Sequence, residues 1–287
     1  MNRLFLVLVV ALVAVWHPEA AADLAAKSQV ESSLRLAGSI DIAADGSVED
    51  IALERVEKVP QAVLKFARDA ALRWRFEPIR NAEGEAIAVS SPVRMLLVAR
   101  EVTGGDFELR IESVSFDRHI PNNPASLVYE HAPPPKYPNK PRKAWVQGTV
   151  YVVVKVGRDG RVEDLGVRQV NLQAMARESE MRRWREAFAA ASVQAIREWR
   201  FRVPTEGISV DLDRWFVIIP IAFRLQGDGI RVSDSPWEAY VRGPREALPW
   251  DDVVGSERVA QMESLAPGGV YMAHSDGPRL LTPLGER

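Results

Sequence analysis

The chain shows the same succession of hydrophobic patterns twice: an alternating stretch, an Asp-Gly turn and a second alternating stretch. In the second occurrence apolar residues alternate from Val150 to Val156 and from Val162 to Val167, on either side of Asp159-Gly160. The first occurrence has the same pattern from Leu36 to Leu53, around Asp45-Gly46. Alternation with period two on both sides of Asp-Gly predicts a β-hairpin closed by a type I′ turn.

A helix is predicted after each hairpin, because apolar residues recur there at intervals of three and four. The first stripe consists of Val63, Phe66, Ala67, Ala70, Ala71 and Trp74, and the second of Phe188, Ala191, Ser192, Ala195, Ile196 and Trp199. Each stripe leads into the sequence Trp-Arg-Phe. We expect the arginine of each motif, Arg75 or Arg200, to point outward between two buried rings. Those rings belong to Trp74, Phe76, Trp199 and Phe201.

A third strand follows each helix, from Ser91 to Ala99 and from Arg214 to Leu225. The predicted fold class is therefore α+β, with two tandem β-β-α-β units, each a small antiparallel sheet packed on one helix. The first unit spans residues 34–116 and the second residues 144–232. Several prolines in residues 117–143 predict an extended linker between the units.

Two segments lie outside this repeated pattern. The charged stretch ARESEMRRWREAF is interpreted as an outward extension of the second helix with a solvated face, and docking through Trp184 is the alternative. Residues 233–287 are rich in proline and glycine, which predicts an irregular tail or a segment that wraps the surface. Two apolar groups in this tail, WEAYV at residues 237–241 and VYM at residues 270–272, can dock onto the body of the protein.

The edges of the predicted sheets determine whether another strand can be added. Pro220 indicates that the third strand of the second unit is an edge strand, because proline has no N–H to donate to a neighbour. In the first unit, residues 107–111 predict a fourth strand after a turn at Gly104-Gly105, and residues 227–232 can cover the second unit similarly. If both edges are covered, peptide capture there fails and a structural or oligomerising role is favoured.

Composition excludes several classes of function. The 287 residues have a formal net charge of −2 and include no cysteine, so disulfides, zinc–thiolate sites and cysteine nucleophiles are excluded. The balanced charge gives no reason to expect nucleic acid as a partner. The basic and aromatic run KYPNKPRKAW at residues 136–145 is therefore interpreted as an extended segment that leads into the second unit.

The amino terminus has the pattern of a secretory signal peptide. Arg3 precedes an apolar run from Leu4 to Trp16, and Ala20 and Ala22 form an A-x-A arrangement. We expect residues 1–22 to be removed and the protein to be exported. The alternative is an uncleaved anchor in the inner membrane that leaves the body of the protein facing the periplasm, so the membrane is a partner only through that terminus.

The sequence contains no pattern typical of an enzyme. The histidines, at positions 17, 119, 131 and 274, are scattered and form no H-E-x-x-H motif, so no metal site and no cofactor are predicted. Neither G-x-S-x-G, S-x-x-K nor a P-loop occurs, and no catalytic residue is assigned. An enzyme whose carboxylates come together only on folding is the alternative to a non-enzymatic protein.

The second unit resembles the carboxy-terminal domain of the TonB family of periplasmic energy transducers. The resemblance depends on PPPKYP at 133–138, QGTVYVVVKVGRDGRVEDLGV at 147–167, AIREWRF at 195–201 and FVIIPIAFRL at 216–225. Residues 34–99 resemble the same domain without the Tyr-Pro motif, as a degenerate copy.

The resemblance implies a non-enzymatic module that binds extended segments of outer-membrane transporters or other envelope proteins by strand addition, in energy-dependent transport across the outer membrane. It assigns partner contacts to Lys136, Tyr137, Gln147, Trp215, Phe216, Ile218, Ile219, Ile221 and Phe223. Lys136 replaces a glutamine that is common in the family. The alternative is a structural or oligomerising envelope protein whose paired units leave no free edge.

Overall fold

The computed structural model describes residues 31–102, 106–117, 122–225, 235–273 and 277–284. Three predictions lie outside these residues: the signal peptide or anchor at residues 1–22, the turn at Gly104-Gly105 and the covering segment at residues 227–232.

The first sheet is antiparallel and is built on a long central strand. Its elements are β1 (Glu31–Ile42), β2 (Val48–Glu54), α1 (Gln61–Ala71), β3 (Val89–Glu101) and β4 (Phe107–Ser115). β1 pairs with β2 through residues 37–42 and with β3 through residues 32–42. β4 pairs with the other side of β3, which confirms the predicted fourth strand. β3 therefore has a paired strand on each side, β1 and β4.

The second sheet has the same element order, with additional short elements around it. The elements are β5 (Val128–His131), α2 (Asn139–Lys143), β6 (Gly148–Gly157), β7 (Val162–Leu172), α3 (Glu178–Ile196), β8 (Arg200–Arg202) and β9 (Arg214–Phe223). β6 is central and pairs antiparallel with both β7 and β9. The charged stretch before the second apolar stripe is helical, so α3 has 19 residues where α1 has 11.

The linker and the tail both need correction. The linker was predicted to be extended, but β5 pairs with β8 and residues 139–143 are helical. The tail was predicted to be irregular or to wrap the surface; its described part contains regular elements, two of which pair with the body of the protein. The regular elements are β10 (Glu238–Tyr240), α4 (Asp251–Val254), α5 (Ser256–Gln261), a 3₁₀ turn (Met262–Ser264) and β11 (Tyr271–Met272). β10 belongs to the WEAYV group and pairs with β1, and β11 belongs to the VYM group and pairs with β9.

The overall class is confirmed as α+β with antiparallel sheets and few helices. In each sheet alternate residues face one helix, because side chains on a strand point to opposite faces in turn. Val150, Val152, Val154 and Val156 are fully buried with Phe188 and Ile196 of α3. Ala67 and Ala71 are fully buried in the first sheet's core, where their small side chains let α1 approach closely.

The predicted type I′ turn is wrong in both hairpins. A type I′ turn requires positive φ at both central residues, but only Gly46 and Gly160 have positive φ, whereas Asp45 and Asp159 do not. Gly46 N–H donates to Ala43 C=O, and Ala43 N–H donates to Ser47 C=O. This is the longer hairpin connection in which a glycine in the left-handed region follows the turn.

In each half of the chain, the Asp-Gly turn contacts the Trp-Arg-Phe segment of the same half. Phe76 N–H donates to Gly46 C=O, and Phe201 N–H donates to Gly160 C=O, each at 2.8 Å. Trp74 and Trp199 are 3% and 5% exposed beside these contacts. The glycine turn and the Trp-Arg-Phe segment therefore hold each other in place at one end of each sheet.

Candidate functional site

The residues assigned to partner binding lie mainly on β9, whose two faces are both covered. Trp215, Val217, Ile219, Ile221 and Phe223 belong to the core between the second sheet and α3. The opposite face of β9 packs against the carboxyl-terminal segment, residues 235–273 and 277–284, through Phe216 and Ile218. Four of the assigned side chains are therefore core side chains, and two are covered by the tail.

The backbone edge of β9 is the part of the strand that other chain segments can reach. Pro220 C=O accepts a hydrogen bond from Gly268 N–H at 2.8 Å, so the backbone polar groups of this residue point away from β6. The N–H that proline lacks would therefore also lie on the outer side, and the ladder with β6 is complete. The structure thus explains why a proline is tolerated inside this strand.

β11 occupies the outer edge of β9 over a short distance. Tyr271 is opposite Ile218, and Met272 is opposite Val217. Ala273 N–H donates to Phe216 C=O at 2.7 Å. The edge between Phe216 and Pro220 is therefore covered by a strand of two residues and the residues that flank it.

A buried carboxylate anchors the segment that carries β11. Glu263 is 0% exposed. Its Oε1 accepts hydrogen bonds from Arg242 at 2.6 Å and from Arg245 at 3.1 Å, and its Oε2 accepts one from Asn171 at 2.8 Å. The Tyr240 hydroxyl donates to Oε2 as well. These contacts connect the tail to β7 of the second sheet.

The charge of Glu263 is compensated within the same cluster. Burial by itself would raise the pKa of this carboxyl, but the Arg242 charge and the hydrogen bonds from Tyr240, Arg242 and Arg245 outweigh it. The pKa of Glu263 is therefore lowered, and the group is an anion at neutral pH. Arg242 also contacts Glu112 of β4, so the cluster reaches both sheets.

The tail also follows the outer edge of β7. Leu172 and Val241 exchange backbone hydrogen bonds, at 3.0 Å and 2.8 Å. Glu246 N–H donates to Arg168 C=O at 2.8 Å, and the Arg168 side chain pairs with Asp251. Within the described residues, the carboxyl-terminal segment therefore covers parts of both outer strands of the second sheet.

The remaining assigned residues lie where the chain enters the second sheet. Tyr137 packs its ring against Phe188 and Phe223, and its hydroxyl donates to Val146 C=O at 2.5 Å. Burial raises the pKa of Tyr137 to about 12. Gln147 Oε1 accepts from Leu225 N–H at 3.2 Å, just after β9. Lys136 is exposed beside Tyr137.

These segments, from the proline-rich approach to the end of β9, coincide with a known domain. Residues 133–225 match the family model of the Gram-negative bacterial TonB protein C-terminal domain. The match includes neither the first sheet nor the carboxyl-terminal segment. No curated protein and no solved structure matches the chain.

The TonB C-terminal domain is a periplasmic, non-enzymatic protein-interaction domain that works with outer-membrane proteins. Residues 133–225 are therefore similar to a periplasmic domain of proteins involved in envelope transport. Among the residues that the structure describes, none of the helices is both long and apolar enough to cross a bilayer. In the same residues, His, Asp and Glu side chains form no group of three or more that could hold a metal ion.

The anchor of the tail was not predicted from sequence. Tyr240 and Arg242 are neighbours in the tail, but Glu263 lies 21 residues after Arg242 and meets them only in the folded chain. The available signal was the pair of apolar groups WEAYV and VYM, which marked the docking segments but not the buried carboxylate between them.

Proposed function

We propose that this TonB-like protein binds extended segments of outer-membrane transporters or other envelope proteins by strand addition to β9, and that the incoming strand takes the place of β11. The observation that carries the proposal is the position of β9 within the matched residues, at a sheet edge that only β11 covers among the described strands. Strand addition relies on backbone hydrogen bonds, so it does not require the buried side chains of β9 to be free.

The small size of β11 supports replacement. It supplies two residue pairs to the ladder, whereas β9 has 10 residues. An added strand that follows β9 beyond Pro220 gains further backbone hydrogen bonds near Ala222, which is half-buried. Displacing β11 costs free energy, because it also releases the Tyr271 ring, which is 3% exposed between β9 and the tail.

We further propose that residues 34–116 are a degenerate copy of the matched unit. The shared contact between the glycine turn and the Trp-Arg-Phe segment supports this proposal, as does the common element order. In this copy β4 covers β3 from Arg94 to Glu101, so strand addition is assigned to the second unit.

A structural or oligomerising envelope protein is the second candidate. Its support is the number of covered edges: β4 lies on β3, β11 lies on β9, and residues 241–246 follow β7. Such a protein would use its outer surfaces for self-association instead of capturing a strand.

Crosslinking in intact cells distinguishes the two candidates. A photo-reactive residue at Ala222, beyond the part of β9 that β11 covers, is expected to yield an adduct with an outer-membrane transporter. The matched control is the same residue at Ala82, which is exposed in a turn of the first unit. Self-adducts alone from Ala222 would contradict strand capture and support the oligomerising protein.

Weakening β11 is expected to increase partner capture. Tyr271→Ala removes the buried ring that holds β11 on β9, so the binding-competent fraction rises and the crosslinking yield from Ala222 increases several-fold. Tyr271→Phe keeps the ring and loses only the hydrogen bonds with Ala266, so its yield should remain near that of the wild type. An unchanged yield in Tyr271→Ala would show that β11 does not compete with the partner.

A further inference from the structure

Four positive charges lie within eight residues of the chain, outside β9 and its cover, and two of them, Lys136 and Arg142, line the same surface cavity. Between Glu130 and Asp159 the chain contains no acidic residue. Lys136, Lys140, Arg142 and Lys143 are all exposed, and none of them forms an ion pair with another described residue. We call these four residues, together with Trp145, the basic surface.

Trp145 has two features that do not favour folding. Its side chain is 61% exposed, whereas Trp74 and Trp215 are at most 3% exposed. Its φ is +56°, in the left-handed region that costs free energy for any residue other than glycine. The hydrogen bond from Val146 N–H to Pro141 C=O holds this conformation at the end of α2. The structure therefore holds an indole in solvent two residues after the helix that carries Lys140, Arg142 and Lys143.

We infer that the basic surface binds the headgroups of an anionic phospholipid bilayer. Lysine and arginine are attracted to anionic headgroups, and tryptophan is enriched at the interface between bilayer and water. Charge and a single interfacial ring are sufficient for a bilayer, because a bilayer requires no matched shape.

The basic surface is close to one end of β9. Tyr137, the neighbour of Lys136, has its ring 5.5 Å from that of Phe223, the last residue of this strand. Binding to a bilayer would therefore place this end of β9 near the membrane. The inference does not depend on strand addition, because it uses no residue of β9.

Vesicle sedimentation tests the inference. The exported full chain is expected to sediment with vesicles of phosphatidylglycerol and phosphatidylcholine, and not with phosphatidylcholine alone. Each headgroup-facing cation contributes about fivefold to partitioning, so Lys140→Gln with Lys143→Gln should reduce binding about 25-fold. Trp145→Ala should reduce binding at unchanged net charge. Binding should also fall as salt is raised.

A matched control separates a specific surface from general charge attraction. Arg182→Gln with Arg183→Gln removes the same charge from exposed, unpaired positions on α3 and should leave binding near the wild-type value. Equal losses in the two double variants would overturn the inference, and so would absence of binding to the anionic vesicles. Unchanged vesicle binding in the Lys140 and Lys143 variant, with loss of binding to polyglutamate, would assign the surface to an acidic protein instead.

Discussion

Alanine at Gly160 is expected to destabilise the protein by about 3 kcal/mol, because it combines left-handed backbone strain with a steric clash. Gly160 has φ of +72°, and a Cβ there would lie 1.9 Å from the Phe201 carbonyl oxygen. The clash partner is backbone, so no rotamer change can relieve it. The melting temperature should fall by about 10 °C, measured by calorimetry or circular dichroism.

Gly84→Ala is the matched control for this prediction. Gly84 has φ of +83°, but a Cβ there would have nothing within 4 Å. Alanine at position 84 should therefore lower the free energy of unfolding only by the left-handed strain, about 1 kcal/mol. If both variants lose the same stability, the contact between the turn and the Trp-Arg-Phe segment does not hold the sheet.

The same test applies to the first unit. A Cβ on Gly46 would lie 2.0 Å from the Phe76 carbonyl oxygen, at φ of +83°. Gly46→Ala should therefore have an effect close to that of Gly160→Ala. A much smaller effect at Gly46 would count against the proposal that the two units share one architecture.

Glu263→Gln is expected to lower the free energy of unfolding by about 3 kcal/mol, because it leaves buried and half-buried donors without their anion. Arg242 and Arg245 each donate to this carboxylate, and the side chain of Glu263 is fully buried. Loss of the anchor should also release β11 from β9. Hydrogen exchange of the Ile218 backbone N–H should then become faster, together with that of the tail.

Glu257→Gln is the control for Glu263→Gln. Glu257 belongs to the same segment and pairs with Arg279, but both side chains are at least half exposed. An exposed pair contributes only about 0–1 kcal/mol, so this variant should remain near the wild type. If Glu257→Gln and Glu263→Gln were equally stable, the buried cluster would not anchor the tail.

The Glu263 cluster also predicts a dependence on pH. The pKa of this carboxyl is lower in the folded protein than its ordinary value of 4.5, so its stabilising effect is complete above that value. The effect is lost as the pH falls through the lowered folded pKa. The stability difference between wild type and Glu263→Gln should therefore be constant near neutral pH and decrease below about pH 4.5. Urea unfolding at several pH values measures it.

Sequence patterns predicted the elements whose formation depends on near neighbours. The alternation from Val150 to Val156 gave β6, and the stripe around Phe188 gave α3, because strand and helix periods are properties of local backbone geometry. The type of hairpin turn was missed, since Asp-Gly is compatible with more than one connection and the hydrogen bonds to Gly46 and Gly160 select among them.

The sequence by itself determined the α+β class, the helical stripes that lead into the Trp-Arg-Phe motifs and the strand that carries Pro220, because these depend on residue type and spacing. Only the tertiary structure decided that β11 covers β9 and that Glu263 anchors it. Edge pairing uses backbone N–H and C=O groups, which every residue except proline carries alike, so side-chain patterns do not specify the partner. The Glu263 cluster joins Asn171 to Glu263, 92 residues apart, and Glu112 to Arg242, 130 residues apart, and that proximity exists only in the folded chain.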